Sequence, residues 1–130
     1  MSRVPRRRRD GADGASASFP RAVRIRTSSD YRRTQSAGRR IRRSRFVVIV
    51  AKNGTSDSRF GLTVSRKVGG AVVRNRVKRW LREAVRHERS SVLGGWDVVI
   101  VAQPDAATAG AAVLRSDLRS ALEEHGAFRR

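Results

Sequence analysis

The sequence predicts an α+β fold, in which a small mixed sheet of three to four strands packs with helices in the order α-β-β-α-β-α. Three observations predict this fold. The stretches 46–51 and 96–102 are almost entirely apolar and rich in β-branched residues, which is typical of buried strands. Residues 59–65 alternate apolar and polar side chains, as a half-buried strand does. Residues 73–84 instead repeat apolar side chains at helical spacing.

The chain is predicted to form one domain with short extensions. Residues 1–18 are rich in Arg, Gly, Ala, Ser and Asp, and they carry too few apolar side chains to offset the entropy of ordering. We therefore expect a disordered basic extension over 1–18, a single folded domain over 19–126 and a short tail over 127–130. Phe19, Val23 and Ile25 are the first apolar anchors of the domain.

A first helix is predicted between Ser28 and Gly38. Ser28 or Ser29 is expected to be the N-cap, with Asp30 in the first turn. This helix carries Tyr31, the only tyrosine of the chain.

Strands and a last helix complete the pattern. An arginine-dense run, 39–45, precedes the strand 46–51, and a loop containing Asn53-Gly54 leads to the strand 59–65. Because only this loop separates the two strands, we expect them to pair antiparallel. The strand 96–102 follows a helix and should pair in parallel through a crossover. The last helix is predicted over about 109–125, with Gly126 as its stop.

The helix after Gly69-Gly70 is predicted to be half apolar and half cationic. Its apolar stripe consists of Val73, Val77, Trp80, Leu81 and Ala84. A second column steps by four residues through Arg74, Lys78 and Arg82, with Asn75, Arg79 and Arg86 beside it. Like charges one turn apart repel each other. A face of this kind therefore indicates a polyanionic partner whose phosphates supply the missing negative charge.

The amino-acid sequence of this region also forms a specific motif. Residues 74–83 read Arg-Asn-Arg-Val-Lys-Arg-Trp-Leu-Arg-Glu, and residues 61–67 before them read Gly-Leu-Thr-Val-Ser-Arg-Lys. Together they resemble the signature of the bacterial ribonuclease P protein family, and the resemblance extends over about 19–122. It implies a left-handed crossover, against the general right-handed preference.

The resemblance also implies a function. In that family the RNA subunit hydrolyses the phosphodiester with Mg²⁺, which the RNA and the substrate hold, while the protein binds this catalytic RNA and the 5′ leader of precursor tRNA. By resemblance, the RNA-binding residues are Arg66, Lys67, Arg74, Asn75, Arg76, Lys78, Arg79, Arg82 and Arg86. Tyr31 stands where the family has an aromatic residue facing the leader cleft, although the residues alone leave a core position equally open. Trp80 departs from the usual aliphatic residue; we expect it in the core, with the rim of the groove as the alternative.

Composition limits the other possibilities. The chain has 30 Lys and Arg against 11 Asp and Glu, a formal net charge of +19, which points to nucleic acid. It has no apolar run of membrane-spanning length, so we expect no membrane contact. The lack of cysteine is compatible with a reducing cytoplasm, where we expect the protein to act, and we predict no obligate protein partner.

No protein catalytic site is predicted. His87 lies on the basic helix and is expected at the surface, and His125 ends the last helix, where the dipole favours a cation. The alternative function is a structural RNA-binding protein, such as a ribosomal protein, which the charge alone does not distinguish.

Overall fold

The computed structural model describes residues 24–25 and 27–126. The predicted extension 1–18, the anchors Phe19 and Val23 and the tail 127–130 lie outside the described residues, so the domain limits stay a prediction.

Three helices and four strands follow one another in the described chain. In order they are α1 (Ser28–Ala37), β1 (Arg39–Arg42), β2 (Phe46–Lys52), β3 (Arg59–Thr63), α2 (Ala71–Glu88), β4 (Trp96–Ala102) and α3 (Ala111–His125). Short 3₁₀ turns lie at Arg89–Ser91 and Pro104–Thr108. The α+β class is confirmed. The strand β1 inside the arginine-dense run was not predicted, because Ile41 is its only apolar residue; its side chain is 2% exposed.

The sheet has the strand order β1-β2-β4-β3. β3 pairs in parallel with β4, as the crossover through α2 predicted. The predicted antiparallel pair of β2 with β3 is wrong, because β4 lies between them and pairs antiparallel with β2. The middle of β4, Val98–Ile100, is fully buried, so a central place in the sheet covers it best. The loop 53–58 is long enough to step across two strand spacings, about 10 Å. The left-handed crossover stays a prediction.

Helices cover both faces of the sheet. On one face, α2 and α3 pack against a core that includes Phe46, Phe60 and Ile100. On the other face, α1 packs over a smaller cluster formed by Ile25, Val47, Ile49 and Val99, with Tyr31 and Val101 at its margin. The apolar stripe of α2 is confirmed: its central residues Val77, Leu81 and Ala84 are buried, while Val73 and Trp80 are partly buried against the same core.

The ends of the outer helices follow recognisable caps. The N-cap of α1 is Thr27, not Ser28 or Ser29: the Thr27 hydroxyl accepts a 3.1 Å hydrogen bond from the backbone N–H of Asp30. Both serines therefore fall inside the first turn. Gly126 ends α3 in the left-handed conformation, with φ of 83°, as predicted. α3 begins at Ala111 because Gly110 before it has a φ of 85°, which lies outside the helical range.

Candidate nucleic-acid interface

An open groove follows the β3 edge of the sheet, between α1 on one face and α2 on the other. It consists of two recesses of about 250 and 520 Å³. The two recesses share the side chains of Tyr31, Leu62 and Lys78, so they form one continuous surface. This arrangement brings Tyr31 and part of the basic helix, which are far apart in sequence, to the two walls of one groove.

Tyr31 lies directly over the β3 backbone. A Cβ atom built on Gly61 would be only 2.6 Å from the Tyr31 hydroxyl oxygen, so the glycine is what allows the end of the ring to approach the strand this closely. Burial raises the pKa of the phenol, against the opposite effect of a hydrogen bond with the Leu62 backbone. Tyr31 packs against the small core cluster and also lines the groove, and its contact with a leader stays a prediction.

Cations line the groove on both walls. In the described part of the chain its lining includes four basic side chains and no carboxylate: Arg24, Arg32, Lys78 and Arg82. Lys78 and Arg82 lie one turn apart on α2, on the flank of the buried Val77 and Leu81. Arg24 and Arg32 were not singled out from the sequence, because neither belongs to a motif.

Arg66 and Lys67 occupy the turn that leads into α2, and both are exposed. The turn is closed by hydrogen bonds from the Val68 N–H to the Ser65 carbonyl (3.1 Å) and from the Gly69 N–H to the Arg66 carbonyl (3.2 Å). Gly69 has φ of 153°, and a Cβ there would lie 2.9 Å from Val73. The glycine therefore lets the two cations stand just before the first turn of α2.

The remaining predicted residues divide between two sides of α2. Asn75 and Arg79 are exposed on its outer surface. Arg76 turns away from the groove: its Nη2 donates to the Ala107 carbonyl at 3.3 Å, and its guanidinium lies 5.4 Å from the centre of the Trp80 ring. Trp80 therefore packs on the core with its outer part beneath Arg76.

Two partly buried arginines of α2 have spare hydrogen-bonding capacity. The Nε atoms of Arg74 and Arg76 are buried and have no partner among the described residues. Buried donors normally find an acceptor. Because both atoms are buried, an acceptor from outside the protein would reach them only if the side chains moved.

Arg86 differs from the other predicted residues. Its guanidinium binds the Glu83 carboxylate, with Nε 3.2 Å from Oε2 and a second, closer contact between Nη2 and Oε1. The hydrogen bond from Arg86 holds the pKa of Glu83 below its usual range. Of the nine predicted RNA-binding residues, Arg86 is the one that has an acidic partner within the described chain.

Both histidines contact other side chains of the described chain. His87 is exposed, as predicted, and its Nε2 lies 3.1 Å from Glu83. His125 ends α3, as predicted; its ring packs edge-on against Trp96, at 5.0 Å between centroids, and burial together with the charge of Arg39 lowers its pKa, which disfavours the cationic form there. No group of His, Asp and Glu residues in the described chain is arranged to hold a metal ion. Within the same residues, no helix has the length and apolar character to cross a membrane.

Sequence reasoning also missed a buried polar residue that holds α1 to the sheet. Asp97 is fully buried in β4 and is bound by Arg59 of β3, by Arg33 of α1 and by Asn53. Arg33 lies two residues after Tyr31, so this cluster ties the Tyr31 helix to the sheet. A charged residue within an otherwise apolar strand was the available signal.

Comparison with known proteins gives a consistent result. The family model described as Ribonuclease P matches residues 19–126. The ribonuclease P protein component of Beutenbergia cavernae is 42% identical over 109 residues, which are 83% of this chain and 92% of that protein. The structure of the Staphylococcus aureus RNase P protein is similar with a TM-score of 0.75 at 29% identity, over 84% of this chain and all of that one. The Thermotoga maritima RNase P protein gives 0.63 at 31%, over 78% and 93%.

Proposed function

This chain belongs to the ribonuclease P protein family, and on that premise we propose how its groove and its basic helix work. It is the protein component of ribonuclease P, an endoribonuclease complex of tRNA processing, and its partner is the ribonuclease P RNA. The family match favours this function over the structural RNA-binding alternative. The proposal concerns which surface binds which RNA.

The groove along β3 is proposed to hold the 5′ leader of precursor tRNA. Single-stranded RNA is bound by a cationic groove combined with side chains on which bases stack. Lys78 and Arg82 on one wall supply the charge, and the half-buried ring of Tyr31 on the other supplies a stacking surface. One stacked base contributes about 1–3 kcal/mol by alanine substitution.

The turn before α2 and the polar surface of α2 outside the groove are proposed to bind the phosphate backbone of the ribonuclease P RNA. The residues are Arg66, Lys67, Arg74, Asn75, Arg76 and Arg79, with Lys78 and Arg82 at the border with the groove. Arg86 contributes less, because Glu83 already compensates its charge. Neutralising phosphates on both RNAs reduces their repulsion and lets the leader and the RNA subunit meet on one protein surface.

The chemical step is proposed to belong to the RNA subunit. Its Mg²⁺ ions would be held by phosphates of the RNA and of the substrate, because the groove presents cations that repel a metal ion. The protein's own contribution is positional: it holds the leader so that the scissile phosphate lies at the RNA-bound ions, and it lowers the Mg²⁺ concentration that the complex requires.

One observation carries this proposal: a groove with four cations, no carboxylate among its described lining and a half-buried aromatic ring resting on the strand at its floor. The test is reconstitution with a bacterial ribonuclease P RNA and precursor tRNA at low Mg²⁺ concentration. We expect faster cleavage than with the RNA alone, and a smaller gain with the double variant Lys78→Gln, Arg82→Gln. Equal rates with and without the wild-type protein would reject the proposal, and cleavage by the protein alone would reject the assignment of chemistry to the RNA.

A further inference from the structure

The arginines of residues 39–45 fall into two groups. Arg43 and Arg45 form ion pairs with α3: Arg43 Nη2 lies 2.8 Å from Glu124, and Arg45 Nη1 lies 2.9 Å from Asp117. The three arginines of β1 itself are exposed and have no carboxylate within ion-pair distance in the described chain: Arg39, Arg40 and Arg42. The carboxylates of α3 therefore lie close to this segment, yet they pair only with the two arginines that follow the strand.

The unpaired group lies far from the groove. β1 is the edge strand opposite β3, three strand spacings or about 14 Å away. Arg40 and Arg42 point to the sheet face that α1 covers, and Arg39 points to the opposite face, because side chains alternate along a strand. The three side chains span about 10 Å of the edge. Arg40 uses one guanidinium nitrogen to bind the Gln35 carbonyl at 3.0 Å, and its other nitrogens stay available.

We propose that Arg39, Arg40 and Arg42 form a second RNA contact surface, separate from the groove and from α2, which binds the phosphate backbone of the ribonuclease P RNA. The inference rests on the proposed function, in which this RNA is the partner. Phosphates of a folded RNA fit the surface better than a single strand, since β1 carries no aromatic side chain on which an unpaired base would stack. Contacts at β1 and at α2 would hold the ribonuclease P RNA at two separate places on the protein.

The chain offers a matched pair of variants for the test. Arg39→Gln with Arg42→Gln removes two unpaired charges, and Arg43→Gln with Arg45→Gln removes two paired charges from the same short segment. Affinity for the ribonuclease P RNA alone is measured over a series of salt concentrations. We expect the first variant to lower the salt slope by about 0.7–0.9 per lost contact and to weaken binding, while the second leaves the slope as in the wild type.

Several outcomes would overturn the inference. Equal slopes for both variants and the wild type would mean that the arginines only protect the sheet edge from pairing with another chain. A loss of affinity for mature or precursor tRNA, with binding of the ribonuclease P RNA unchanged, would show that the surface binds tRNA, which contradicts the inference.

Two controls keep this test separate from that of the proposed function. Thermal melts establish that the variants fold. If the double variant Arg39→Gln, Arg42→Gln does not fold, the single variant Arg42→Gln replaces it. An unchanged salt slope for the single variant likewise overturns the inference. Low-Mg²⁺ cleavage with the wild-type protein tests the proposed function on its own. Wild-type stimulation together with an unaffected Arg39→Gln, Arg42→Gln variant rejects only the second surface.

Discussion

Arg59 and Asp97 form a two-pronged ion pair across the parallel strands β3 and β4. Arg59 Nε lies 2.9 Å from Oδ1 of Asp97, and Nη2 lies 2.7 Å from Oδ2. The carboxylate is fully buried and also accepts hydrogen bonds of 3.0 Å from Arg33 and from Asn53. The hydrogen bond with Asp97 raises the pKa of Arg59 above its usual range. One buried acid thus connects the edge strand, the central strand, the loop between β2 and β3 and the helix that carries Tyr31.

Replacing Asp97 by alanine should therefore destabilise the protein strongly. Removing one partner of a buried ion pair leaves the other charge uncompensated, and because the Arg59 side chain is only 25% exposed we expect a loss of about 3 kcal/mol in the free energy of unfolding. Urea unfolding measures it. Asp117→Ala is the control, since its pair with Arg45 is partly solvated and should be worth at most about 1 kcal/mol. Similar losses for both variants would contradict this account.

Tyr31→Ala should weaken binding of leader-bearing tRNA more than binding of mature tRNA. Loss of one stacked base predicts a selective effect of about 1–3 kcal/mol, and Tyr31→Phe should keep most of the affinity because the ring remains. Competition binding with the reconstituted complex measures the difference between the two tRNAs. Equal losses on both tRNAs would mean that the ring serves only the core.

Gly61→Ala tests the same contact from the strand side. The new methyl group would lie 2.6–2.7 Å from the end of the Tyr31 ring, so the ring has to move while the backbone can stay. We expect reduced selectivity for the leader with only a small change in the urea midpoint. Unchanged selectivity would show that the position of the ring over β3 has no bearing on leader binding.

Arg79 and Arg86 should differ in their contribution to RNA binding. Arg79 is exposed, with no acidic partner in the described chain, so Arg79→Gln should lower the salt slope for the ribonuclease P RNA by about 0.7–0.9. The Arg86–Glu83 pair can be removed as a unit by Arg86→Gln with Glu83→Gln, which leaves the net charge unchanged. We expect this double variant to keep the wild-type slope. A larger change in the double variant than in Arg79→Gln would reverse the ranking.

His125 should make stability depend on pH near neutrality. Its pKa is lowered from 6.5 in the folded protein, so the unfolded chain takes up a proton first. The contribution of neutral His125 to the free energy of unfolding is fully present above about pH 6.5, the unfolded pKa, and it is lost as the pH falls through the lower folded pKa. Urea midpoints at about pH 7.5 and about pH 5.5 should therefore differ for the wild type and differ less for His125→Gln. Asp30 and Glu83, whose pKa values lie below 3.8 and 4.5, titrate outside this window.

The sequence was most informative where periodicity and motif coincide. The apolar stripe through Val77 and Leu81 correctly predicted that α2 packs on the sheet, and the Arg-Asn-Arg motif indicated the family. The neighbour of β2 in the sheet could not be predicted in this way. Strand order depends on which strand most needs burial on both faces, and the local pattern of apolar residues does not determine this. β1 was hidden because a single inward residue, Ile41, gives no visible alternation. The Asp97 cluster joins residues far apart in the chain, so no local pattern could predict its geometry.

The place of β4 between β2 and β3 also affects how the protein is made. A ribosome completes the arginine-rich α2 before it releases Trp96–Ala102, the strand that both β2 and β3 need as a neighbour. Until then the sheet cannot close, and the phosphate-binding helix emerges without the core on which its apolar side rests. Chains interrupted before Ala102 should therefore be basic, unfolded and prone to associate with any nearby nucleic acid.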